Sequence, residues 1–159
     1  DPAHLRDCAL LLLLVCGDAR PGGGLVEEAR DGLGQSCDQV GDRAKGVVFV
    51  VKFAGDALLA FGLRGNLFRS DDGGSNWSAI QTGTTALLNS GAQIDADTVV
   101  VVGMAGVILV SRDGGRSFTL HQQDDRKAIS AVVPSGDGAL IVAGEGGVRR
   151  LPLPGSVAP

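Results

Sequence analysis

Residues 70–77 read Ser-Asp-Asp-Gly-Gly-Ser-Asn-Trp, and residues 111–118 read Ser-Arg-Asp-Gly-Gly-Arg-Ser-Phe. Each sets a serine hydroxyl two residues before a carboxylate and closes on an aromatic ring. A hydroxyl beside a carboxylate is the first place to look for acid–base chemistry. The glycines argue for a different task. Gly73-Gly74 and Gly114-Gly115 supply the positive φ that a hairpin turn needs. A short carboxylate ahead of them accepts hydrogen bonds from turn amides, and a serine at the strand end does similar work. On this reading Ser70, Asp72, Gly74 and Trp77 form one self-satisfied turn, and Ser111, Asp113, Gly115 and Phe118 form another. Both are structural, and no residue is nominated as catalytic.

Other chemistry finds little support. His4 and His121 are the only histidines, and there is no H-E-x-x-H or C-x-x-C, so no metal is expected. Cys8, Cys16 and Cys37 read as buried or free thiols; three cysteines without C-x-x-C spacing suggest neither a disulfide scaffold nor a zinc site. No serine sits in a G-x-S-x-G elbow. The glycine runs at 22–24 and 144–147 lack the lysine and helix of a phosphate loop, so no cofactor is expected. A formal net charge of -4 argues against nucleic acid as a partner. Several acids fall in expected turns: Asp56, Asp95, Asp97, Asp137 and those of the two Asp motifs. No apolar run approaches the length of a membrane span.

The two motifs lie 41 residues apart, and that spacing recurs. Gly62, Gly103 and Gly144 share it, as do Gly65, Gly106 and Gly147, giving three G-x-x-G turns in a register that reads as gapless. An apolar run of four to six residues precedes each turn, bounded by Gly and Asp, which argues for strands. Four short antiparallel strands in about 41 residues is the proportion of one β-propeller blade. The expected fold is all-β: an arc of about four four-stranded blades, part of a larger propeller, in a single domain spanning 1–159. The repeats fall at 1–45, 46–84, 85–127 and 128–159. The first is degenerate. Its strand would be residues 9–15, a run that reads as blade strand rather than signal peptide, and Cys37 stands where the aromatic belongs. The last is incomplete, with no Asp motif and no fourth strand, as when the other end of the chain closes the ring.

The two Ser-Asp-Gly-aromatic segments resemble the Asp-box, or bacterial neuraminidase repeat. It is found in sialidases, some glycanases, sortilin-like receptors and propellers like the photosystem II stability/assembly factor. Val99–Phe118 and the tail V-A-G-E-G-G-V-R-R-L-P are most similar to the last family. That family is typically seven-bladed, so the resemblance implies a C-terminal fragment. It further implies a non-catalytic scaffold, periplasmic or extracellular, that binds a protein partner in assembly or support of a membrane or secreted complex. The alternative is a fragment of a carbohydrate-active Asp-box glycoside hydrolase. A sialidase needs a tyrosine nucleophile, and the chain has no tyrosine.

Alternate turns of a blade point to opposite faces. The G-x-x-G turns therefore share a face with the linkers 82–85 and 124–127, and carry Arg64, Met104 and Glu145 as candidate partner-binding residues. Arg149 and Arg150 join them. At a period of 41 they replace Ile108-Leu109 and Leu67-Phe68, and two unpartnered arginines are costly to bury. The strand that carries them is expected to be exposed or to meet an acidic partner, and arginine patches hold partner proteins in related assembly-factor propellers.

Overall fold

The computed structural model describes residues 12–15 and 47–52 as backbone strands, and residues 57–155 in full. The first sheet holds β1 (Leu12–Val15), β2 (Val47–Lys52), β3 (Leu58–Gly62), β4 (Leu67–Ser70) and β5 (Ser78–Ala79), hydrogen-bonded in that order. The second holds β6 (Leu88–Gln93), β7 (Val99–Gly103), β8 (Val107–Ser111) and β9 (Thr119–Gln122). The third holds β10 (Ile129–Pro134), β11 (Ala139–Gly144) and β12 (Gly147–Pro152). Every pairing is antiparallel between neighbours in sequence.

The sheets stack face to face, which explains the unbroken Val99–Val102 run. Side chains alternate across a strand. Val99 and Val101 pack with Leu59, Phe61 and Leu67 of the first sheet. Val100 and Val102 pack with Ile129, Val132, Leu140 and Val142 of the third. A strand covered on both faces reads as a continuous apolar run rather than an alternating one. Each fully buried valine or leucine contributes about 1.5–3 kcal/mol of transfer free energy. The first strands of successive sheets meet at one edge of the stack, where Asn89 Nδ2 donates to the Ile129 carbonyl at 2.9 Å. Antiparallel sheets of five, four and three strands, stacked on apolar faces, make an all-β arc of a β-propeller.

Two features depart from a gapless repeat. Of the expected first repeat, only Leu12–Val15 lies among the described residues, and it adds a fifth strand antiparallel to β2. The Cys37 segment lies outside them. The second departure is a slip of register. The first two G-x-x-G turns have three residues between strands, Leu63–Gly65 and Met104–Gly106, each a single 3-10 turn. The third has only Glu145 and Gly146, because Gly144 pairs directly with Gly147. Val102 pairs with Ile108, whereas its counterpart Ala143 pairs with Val148. Arg149 and Arg150 therefore stand in the places of Leu109 and Val110, not of Ile108 and Leu109. A turn one residue shorter moved the strand, while an extra glycine preserved the spacing of 41.

Candidate binding face and the turns behind it

At the first Ser-Asp-Gly turn, Ser70 Oγ donates to Asp72 Oδ1 at 2.8 Å and accepts from the Gly74 amide at 2.8 Å. Asp72 also accepts from the Asn76 amide at 2.8 Å and from Asn76 Nδ2 at 2.6 Å. The second turn repeats the plan. Ser111 Oγ donates to Asp113 at 2.7 Å and accepts from Gly115 N at 2.7 Å, and Asp113 accepts from the amides of Arg116 and Ser117 at 2.9 Å each. Trp77 Nε1 donates to the Gly74 carbonyl at 3.0 Å, and Phe118 packs on the first apolar cluster.

These bonds set the charge state. The Asn76 side chain, then its amide and Ser70, hold the Asp72 carboxyl down to about 2. Partial burial pushes Asp113 upward, but hydrogen bonds from Ser117, Ser111 and Arg116 outweigh it and hold the carboxyl below its usual range. Both carboxylates are ionised at neutral pH and can only accept hydrogen bonds. Asp72 and Asp113 therefore hold no proton to give as general acids.

The face that carries these turns also carries the turn before β7, where Gly114 N donates to the Asp97 carbonyl at 2.7 Å. Arg69 locks it to the neighbouring sheet. This arginine is 7% exposed, pairs with Asp71 and donates through Nη1 to the Gly114 carbonyl of the second turn. Arg69 was not singled out from the sequence. Its only signal was a charge inside an apolar strand, where its counterpart is Val110.

The G-x-x-G turns lie on the opposite face with the linkers. Met104 N donates to the Leu87 carbonyl at 2.8 Å, and Glu145 N to that of Ala128 at 3.0 Å. Thr82 Oγ1 donates to the Gly65 carbonyl at 2.8 Å. Arg64 and Ala105 occupy the left-handed region at φ 59° and 56°, unusual for residues with a Cβ. Arg64 and Met104 are exposed at the tips of their turns. The Glu145 carboxylate is engaged by its own chain, accepting from the Ala128 amide at 2.7 Å.

The arginine pair divides. Successive strand residues point to opposite sides of the sheet. Arg149 turns toward the second sheet and donates to Asp125 of the 124–127 linker at 2.8 Å. Arg150 turns to the open side and pairs with Asp137. Each has an acidic partner within the chain. A cleft of about 540 Å³ opens between the first and second sheets beside the 82–85 linker, with Arg64 on its rim and Leu67, Ile80 and Leu120 in its lining. Among the described residues no three His, Cys, Asp or Glu gather as a metal site, and no helix is long and apolar enough to cross a membrane.

Stacked blades with bonded turns on one face and variable turns on the other define a β-propeller segment. No family model matches the chain, and no curated protein matches it. Among solved structures, the chain is similar to one described as YCF48 bound to D1 peptide, with 20% identity and a TM-score of 0.51. The match covers 59% of this chain and 33% of that one, so the chain spans about a third of that protein's length. The likeness is one of fold.

Proposed function

We propose that the chain belongs to a non-catalytic propeller that holds a segment of another protein on its G-x-x-G and linker face. It would serve the assembly or support of a membrane or secreted complex, in the periplasm or outside the cell, as assembly-factor propellers do. One observation carries the reading: the first two blades share one turn frame while the residues presented on that face change with their linkers, Leu63-Arg64 in one and Met104-Ala105 in the other. The fold it shares with YCF48, which has been solved with a peptide bound, supports the same use. The carboxylates of the Ser-Asp-Gly turns are tied up by turn amides, which favours a scaffold over a glycoside hydrolase.

A photo-crosslinking residue at Met104, introduced in the organism of origin, tests this. It should trap one or a few discrete proteins, each recovered again when the partner carries the crosslinker. The same residue at Ser75, exposed on the opposite face, should trap none of them. Equal capture from both positions would contradict the assignment.

A further inference from the structure

We propose that the cleft between the first and second sheets is a peptide groove. Its occupant would be an extended segment of another protein that presents an aliphatic side chain beside a carboxylate. The inference rests on the protein-binding reading above and names where and what that face binds.

The groove has two walls, and its exposed lining mixes polar groups with a few apolar side chains. Leu67 and Val107 are buried at its base and Ile80 is half-buried beside them, while the Phe68 side chain turns to the other side of β4. Leu120 is an exposed leucine on β9, whose neighbours Thr119, His121 and Gln122 are polar. A Cβ placed on Gly83 would lie 3.7 Å from Leu120 Cδ2, so the linker and β9 face each other closely. An aliphatic side chain entering there covers Leu120 and reaches the floor.

The charge of the occupant follows from the rim. Among the described residues Arg64 is the one charged group lining the cleft, no aspartate or glutamate joins it, and Arg64 makes no ion pair. An uncompensated cation beside a low-dielectric floor attracts an anionic group and rejects a cationic one. The remaining polar groups are largely spent. Thr82 Oγ1 bonds Gly65, Thr84 Oγ1 accepts from Ala86, and Gln122 Nε2 donates to the Ala105 carbonyl. The next junction differs in charge. There Ala105 stands where the first turn has Arg64, so the cation is missing.

The test is to pan a phage-displayed library of random dodecapeptides on the immobilised intact chain and synthesise the most enriched peptide with a fluorescein label. Its affinity is then read by anisotropy. The enriched peptide should contain an aliphatic residue next to an acid. Arg64→Glu, Leu120→Asp, or an acid-to-amide change in the peptide should each weaken binding by about tenfold, the scale of one charge or one buried side chain. Arg64→Gly, which removes the charge and suits the left-handed turn, guards against a folding defect and should also weaken it. Equal binding to all variants would place the peptide elsewhere, overturning the groove but leaving the protein-binding face intact. The groove is overturned in the same way if no peptide is enriched while Met104 still traps a protein, or if immobilised glycans bind instead.

Discussion

Replacing Gly103 with alanine tests the stacked-blade frame at one of its tightest points. Gly103 has an extended backbone that any residue adopts, so local conformation does not demand glycine. The demand is spatial: an added Cβ would lie 2.2 Å from the Leu87 carbonyl oxygen and 3.1 Å from the Leu88 Cα. To restore contact the linker must retreat by about 1 Å, as overpacking cannot be absorbed by backbone alone. Retreat stretches the Met104–Leu87 hydrogen bond, now 2.8 Å, and disturbs the fully buried Leu88. Overpacking costs about 1–3 kcal/mol and a weakened backbone bond about 1 kcal/mol. Stiffening of the unfolded chain returns at most about 1 kcal/mol. The net loss should be about 2–3 kcal/mol, a fall of about 4–12 °C in Tm for a chain of this size.

Urea titration followed by circular dichroism at 25 °C reads this directly. The control is Gly73→Ala, where φ is +67° but nothing lies within 4 Å, so only the left-handed penalty of about 1 kcal/mol applies. Gly144→Ala should behave like Gly103→Ala, since its Cβ would lie 2.1 Å from the Ala128 carbonyl oxygen. If Gly103→Ala proves no less stable than Gly73→Ala, the approach of linker to turn is not the constraint described, and the G-x-x-G glycines serve another purpose.

Asp113→Ala should lower stability by roughly 1–2 kcal/mol through loss of the turn acceptor, with partner binding retained; lost binding at unchanged Tm would contradict the structural role. Because the folded pKa of Asp72 is held at about 2 against an ordinary 3.8, its stabilising effect is complete above the ordinary value and fades as pH falls from about 4 toward about 2. A carboxyl resonance of Asp72 titrating near the ordinary value by NMR would refute this. The purified chain should not turn over a fluorogenic sialoside above a buffer control, since it has no tyrosine. Light scattering should report dimers or larger assemblies, because the open side of the third sheet exposes Val133 at 54% and Val148 at 77% and no described strand pairs with the outer edge of β12. A well-behaved monomer with protected outer strands would favour a closed four-bladed ring.

The all-β blade plan was legible because each strand-forming run is short, apolar and fenced by glycine and aspartate, and because two copies share one length. Stacking was legible only indirectly: the Val99–Val102 run tells of two covered faces but not of which sheets cover them. Arg69 shows what pattern alone misses. Its guanidinium bonds a carbonyl 45 residues away, so nothing adjacent in sequence marks it as a clamp.

Arg149 and Arg150 show the opposite error, in which the pattern was too regular. G-E-G-G keeps a glycine at the expected spacing although the turn has lost a residue, and the loss displaces β12 by one position. Because neighbouring strand residues face opposite ways, a slip of one exchanges the two sides of the sheet. It sets Arg149 toward the second sheet, within reach of Asp125, and Arg150 toward the open side, beside Asp137. Two arginines that read as one exposed patch are thus separate, each neutralised by its own chain. Arg64 makes no such pair with a described residue. It lies on the first turn, beside the cleft, rather than on the last strand.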